Sequence, residues 1–125
     1  MSRIIICDDN VAHLHLISKI AEKVVGNAGT VEQFSSPLDM LHAVFEKGEK
    51  PDLIILDYMM PELDGLQTLR ILRDKGVMSK AVIVSAYFKE VVEKLIPSNN
   101  VSVIVNKPFS VQDLSDRIGA ALGIK

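Results

Sequence analysis

The chain has 125 residues, with fourteen basic and sixteen acidic side chains and a net charge of −2. That length fits one domain, 1–125, able to bury roughly two-thirds of its unfolded surface. The near balance of charge argues against a nucleic-acid binder, and the absence of tryptophan with few other aromatics argues against stacking platforms for bases. The single cysteine, Cys7, rules out a disulfide framework within the chain and points to a reducing compartment. The first apolar run, Ile4 to Cys7, is too short for a signal peptide or a membrane span, so a cytoplasmic location with no membrane partner is expected.

Ile4-Ile5-Ile6-Cys7 reads as the first strand and ends on Asp8-Asp9. Asn10 is placed to cap the following helix, where Leu14, Ile17, Ala21 and Val24 recur at three- and four-residue spacing up to Gly26. Thr30 to Phe34 is a second strand whose mixed polarity predicts an edge position. Ser36-Pro37-Leu38-Asp39 starts a helix, with Ser at the cap, Pro in the first turn and an acid three residues after the cap. Leu38, Leu41, Val44 and Phe45 are expected to face inward, and Gly48 to end the helix. Leu53 to Leu56 is a continuous apolar run, as in a strand buried on both faces of a parallel sheet, and it stops on Asp57. Pro61 and Asp64-Gly65 signal turns. A third helix runs from Leu66, with Leu69 and Leu72 on one face, to Gly76.

Ala81 to Val84 is a fourth, buried strand ending on Ser85-Ala86. Val91, Val92, Leu95 and Ile96 mark a short helix broken by Pro97. Val101 to Val105 is the fifth strand, followed by Asn106-Lys107-Pro108. Ser110-Val111-Gln112-Asp113 repeats the capping pattern and opens a last helix with Leu114, Ile118, Ala121 and Leu122 inside. Five strands alternating with five helices predict an α/β fold, a mostly parallel sheet covered on both faces with right-handed crossovers.

Such a sheet gathers the carboxyl ends of its strands on one edge, where open α/β folds bind ligands. Here that edge collects Asp8, Asp9, Asp57, Ser85 and Lys107. Two carboxylates about 4 Å apart repel by roughly 4 kcal/mol at an effective dielectric of about 20. Lys107 offsets one charge of three, and a hard divalent cation, Mg²⁺ by preference, offsets the rest. A carboxylate beside such a cation can attack phosphorus and form an aspartyl phosphate, with Lys107 and the Ser85 hydroxyl binding phosphoryl oxygens.

The sequence resembles, over essentially its whole length, the receiver domain of two-component response regulators. The likeness rests on Asp8-Asp9 after the first strand, Asp57 followed by Met60-Pro61 and Asp64-Gly65, Ser85-Ala86, and Lys107-Pro108-Phe109. It implies a flavodoxin-like, doubly wound, five-stranded sheet in the order 2-1-3-4-5 with five helices. It also implies that Asp57 is the phosphoacceptor, and that Asp9, Asp57 and the backbone carbonyl of Met59 hold Mg²⁺ with Asp8 acting through bound water. Ser85 would move towards the phosphoryl group, Lys107 would bind it, and the Lys107–Pro108 bond would be cis. The implied partners are a sensor histidine kinase or histidine phosphotransfer protein as donor and a downstream effector protein as target. The implied role is that of a signalling phosphoacceptor rather than an enzyme. Phosphorylation would act through the face made by the helix around residue 91, the fifth strand and the last helix, and homodimerisation through the last two helices stays open.

Two features depart from the family pattern. Ile104 stands where an aromatic is usual three residues before the lysine, which leaves Tyr87 or Phe88 to serve in its place. Met59 and Tyr87 flank the expected phosphoryl site where relatives carry acid or amide groups that orient water, so a long-lived phosphoryl group is expected. Competing readings are a degenerate receiver used only for docking, a haloacid-dehalogenase-type phosphatase and a flavodoxin-like FMN carrier. The second wants Asp-x-Asp, and Asn10 stands where the second Asp is needed; the third wants a Ser/Thr/Gly-rich loop where Asp8-Asp9-Asn10 stands. Cys7 reads as a small buried hydrophobe, His42 as an exposed helix residue, and His13 and His15, two apart on a helix, as poor metal ligands.

Overall fold

Five parallel strands form one sheet in the order β2-β1-β3-β4-β5. They are β1 (Ser2–Cys7), β2 (Gly29–Phe34), β3 (Leu53–Asp57), β4 (Lys80–Ser85) and β5 (Val101–Asn106). The structure, a computed structural model, describes residues 2–48, 50–87 and 101–124. Four α-helices lie among them: α1 (Val11–Val25), α2 (Pro37–Lys47), α3 (Gly65–Asp74) and α4 (Val111–Leu122). The helix expected around Val91 to Ile96, and Phe88, lie outside the described residues. None of the described helices is long and apolar enough to cross a membrane.

The middles of β1, β3 and β4 are apolar because both sheet faces are covered, and the alternation of the strands divides the core in two. Ile5, Cys7, Ile54, Leu56, Ala81, Ile83 and Ile104 meet α2 and α3 through Met40, Leu41, Val44, Leu69 and Leu72. Ile4, Ile6, Leu53, Ile55, Val82, Val84 and Val105 meet α1 and α4 through Leu14, Ile17, Ile20, Ala21, Val25, Leu114 and Ile118. All five residues of β3 are buried, and each buried Leu or Ile contributes about 1.5–3 kcal/mol. β2 lies at one edge, as its polarity predicts.

The inward face of α2 differs from the sequence expectation. Leu41 and Val44 are buried, but Leu38 is 48% exposed and Phe45 37% exposed. Pro37 and Met40 take their places, completing a stripe at 37, 40, 41 and 44. The helix is rotated so that the seam through Pro37, Met40, Leu41 and Val44 meets the sheet and Leu38 and Phe45 lie to its sides. Helix starts follow the caps. The Asn10, Ser36 and Ser110 side chains accept N–H bonds from His13, Asp39 and Asp113. A reciprocal capping box lies at α3, where Asp64 accepts from the Gln67 N–H and the Gln67 side chain accepts from the Asp64 N–H. Besides the turn signal Asp64-Gly65, the sequence carries the pattern of this box in Asp64-x-x-Gln67.

Candidate functional site

Strand alternation aims three side chains at the same side of the sheet edge. Asp8 continues the series Ile4, Ile6; Asp57 continues Leu53, Ile55; Lys107 continues Val103, Val105. Their contacts follow. Lys107 Nζ donates to Asp57 Oδ1 at 2.8 Å and to Asp8 Oδ2 at 3.4 Å. Asp8 is fully buried, and its other oxygen accepts the Asn10 N–H at 2.9 Å. Asp57 is 8% exposed, whereas Asp9 lies at the surface. Oxygen atoms of Asp8, Asp9 and Asp57 all lie within 4.8 Å of one another. The Lys107–Pro108 peptide bond is cis.

Burial holds the Asp57 carboxyl above the usual carboxylate range. The hydrogen bond from Lys107 opposes that shift, while the charges of Asp8 and Asp9 add to it. One ammonium therefore does not neutralise the cluster. Three carboxylates at this spacing suit a hard, oxygen-seeking dication better than a soft or nitrogen-seeking one. Burial, followed by the charges of Asp8 and Asp57, pushes the Cys7 thiol up to about 12. Cys7 is thus an inert apolar filler, with its sulfur 3.6 Å from that of Met60.

Ser85 stands at the end of β4, one residue beyond the Asp57–Val84 pairing, and is buried. Its hydroxyl accepts the Tyr87 N–H at 2.9 Å, and its carbonyl accepts the Lys107 N–H at 2.7 Å. The sequence reading grouped the Ser85 hydroxyl with Asp57 and Lys107. Among the described residues it accepts the Tyr87 N–H, a role that leaves its O–H as a donor, and Ser85 shares the Ala81–Ile83 alternation rather than that of Asp57. The Tyr87 ring meets Tyr58 edge-on, with centroids 5.6 Å apart. Asn106 Nδ2 donates to the Tyr87 carbonyl. Met59 and Tyr87 are 51% and 48% exposed, so both rim the site, while Ile104 is buried in the core.

The loop after β3 is fixed by backbone. Tyr58 donates to the Val84 carbonyl, and the Tyr58 carbonyl accepts the Gly65 N–H at 2.6 Å. A Cβ on Gly65 would lie 2.5 Å from the Asp57 carbonyl oxygen and 3.2 Å from Tyr58 Cα. Only glycine allows α3 to begin this close to the end of β3. Glu62, at φ 74°, turns the chain between them, with the Leu63 N–H bonded to the Pro61 carbonyl.

One member of the site was missed in the sequence. His13 Nδ1 lies 3.0 Å from Lys107 Nζ. The available signal was position: His13 is the third residue of a helix whose N-terminus abuts the strand ends.

Residues 4–119 match the response regulator receiver domain family. The chain belongs to that family. Among curated relatives, the receiver is 35% identical over 74 residues to the alkaline phosphatase synthesis transcriptional regulatory protein PhoP of Bacillus subtilis, covering 59% of this chain and 31% of that protein. It is 28% identical over 122 residues to the response regulator MprA of Mycobacterium ulcerans, covering 96% of this chain and 50% of that protein. The chain thus spans half or less of the length of these relatives. Among solved structures, a response regulator receiver domain protein from Clostridium thermocellum superposes with a TM-score of 0.84 at 24% identity, covering 98% of this chain and 95% of that one. A CheY-like receiver domain protein from Methanospirillum hungatei JF-1 gives 0.83 at 24% identity, covering 98% and 94%. These likenesses show the flavodoxin-like fold. Receivers are signalling phosphoacceptors in two-component relay rather than enzymes of the ordinary kind, and nothing in the matches favours a docking-only module or a haloacid-dehalogenase phosphatase.

Proposed function

We propose that Asp57 accepts a phosphoryl group from phosphohistidine on a sensor histidine kinase or histidine phosphotransfer protein, in a Mg²⁺-dependent reaction. The observation that supports this most is a buried Asp57 bonded to Lys107 at 2.8 Å and crowded by two further carboxylates. An Asp57 oxygen forms a P–O bond as the P–N bond of the donor breaks, and the electron pair returns to the donor imidazole. Asp8, Asp9, Asp57 and the Met59 carbonyl are the groups that would hold Mg²⁺. When bound, that ion neutralises charge on the cluster and on the phosphoryl oxygens. Lys107 keeps Asp57 anionic against the effect of burial and offers its N–H bonds to the phosphoryl oxygens. The Ser85 hydroxyl accepts the Tyr87 N–H and keeps its own O–H to donate to those oxygens, so a shift of Ser85 towards them carries Tyr87 with it and disturbs the Tyr87–Tyr58 contact. With aliphatic Ile104 inside the core, Tyr87 takes the part of the switching aromatic, and the altered surface meets a downstream effector. The elements pack around one sheet, which supports one receiver domain over 1–125, and the free Cys7 supports a cytoplasmic setting.

Incubation with acetyl phosphate and Mg²⁺ followed by intact mass measurement tests the reading. Wild type should gain one phosphoryl group, and Asp57→Asn or added EDTA should abolish the gain. Absence of uptake by wild type would favour a docking module. Met59 and Tyr87 offer a thioether and a ring where attacking water would need a polar partner. Met59→Asn and Tyr87→Glu should therefore shorten the phosphoryl lifetime severalfold, read from the decay of labelled protein; unchanged decay in both variants would remove their shielding role.

A further inference from the structure

We infer that His13 is a positioning residue for Lys107, resting on the phosphoacceptor reading above. An ammonium has three N–H donors and no acceptor. Those of Lys107 face Asp57 Oδ1 at 2.8 Å, His13 Nδ1 at 3.0 Å and Asp8 Oδ2 at 3.4 Å. Lys107 Nζ offers only donors to this contact, so the ring nitrogen 3.0 Å away meets it by presenting a lone pair. The contact thus calls for the tautomer that carries its proton on Nε2.

The backbone that carries the ring is anchored at the helix start. His13 is the third residue of α1, and its backbone N–H is bonded to the capping Asn10 side chain at 3.1 Å. The partners of Lys107 then fall into two kinds. Asp57 reacts: once it is an acyl phosphate its negative charge lies out on the phosphoryl oxygens, and the ammonium must follow. Asp8 and His13 do not react, and they form the fixed side of the cradle on which Lys107 turns. The Lys107 side chain is only 14% exposed, so without His13 water is a poor substitute partner and the ammonium is less well placed for the incoming group.

Two variants separate this role from a structural one. His13→Leu keeps bulk and removes the acceptor. His13→Asn puts Oδ1 at the same number of bonds from Cα as Nδ1, restoring an acceptor without a ring. With acetyl phosphate and saturating Mg²⁺, His13→Leu should label about tenfold more slowly, the scale of a hydrogen bond to a charged group, while His13→Asn stays within about twofold of wild type. A His13→Leu rate equal to wild type, or a His13→Asn rate as low as that of His13→Leu, overturns the inference. A second measurement does not depend on phosphorylation. In ¹⁵N–¹H spectra of the imidazoles, with His13→Asn giving the assignment, His13 should carry its proton on Nε2 and should shift in Lys107→Met. A proton on Nδ1, or no response to Lys107→Met, refutes the contact. Unlabelled wild type sinks the phosphoacceptor reading and the kinetic role together, whereas labelled wild type with an unaffected His13→Leu sinks only the present inference.

Discussion

Asp57 is a carboxylate held where its charge is unwelcome, and that has a definite sign in stability. Its folded-state pKa lies above the unfolded value because burial outweighs the bond from Lys107. Over that interval the native state binds more protons than the unfolded one, so this residue's contribution to stability falls as pH rises through it. Glu32 acts in the opposite sense. The hydrogen bond from Arg3 lowers its pKa, so its contribution is present above the ordinary carboxylate range and is lost as pH falls. Comparing Asp57→Asn with wild type cancels Glu32. The variant should melt higher than wild type at pH 7.5 in EDTA, and its advantage should vanish on acidification below the ordinary carboxylate range; a lower melting point at pH 7.5 would contradict the balance described. That Asp8, Asp9, Asp57 and Lys107 are neighbours was legible because each lies within two residues of the end of an apolar run. The His13 contact and the Ser85–Tyr87 bond were not, since both depend on how a helix end or loop sits over the strand ends, which periodicity does not encode.

At the scale of elements, the junction between β3 and α3 leaves no room for a side chain. Gly65 begins α3 against the carbonyl of Asp57, and the obstructing atoms are backbone. Gly65→Ala should therefore destabilise by about 1–3 kcal/mol, the range of an overpacked site, seen as a lower urea midpoint at unchanged slope. It should also slow labelling of Asp57; a variant as stable as wild type would mean the junction can relax. Caps at Asn10, Ser36 and Ser110 could be read directly, because a side-chain acceptor before an apolar helix has few other uses. The orientation of α2 could not. Leu38 and Phe45 are as apolar as the residues it buries, yet the stripe through Pro37, Met40, Leu41 and Val44 fits the sheet.

For the whole molecule, alternating apolar strands and amphipathic helices made a two-faced parallel sheet readable from sequence. The neighbour order was not: strands buried on both faces carry little to say which pairs with which, and the order came from family resemblance. The sheet brings the acidic residues of β1 and β3 together in the folded state, so a cation held there binds the native chain and not the unfolded one. Mg²⁺ at a hundredfold excess over its Kd should add about 2.7 kcal/mol to the unfolding free energy. Asp9→Asn should remove most of that gain in urea titrations, and an equal gain in the variant would place the ion elsewhere.

The edge-on pair of Tyr58 and Tyr87 has an optical consequence. They are the only tyrosines, and tryptophan is absent. Near-ultraviolet emission excited at tyrosine wavelengths therefore originates entirely at the mouth of the acidic cleft, making the unlabelled chain its own fluorescent gauge of events there.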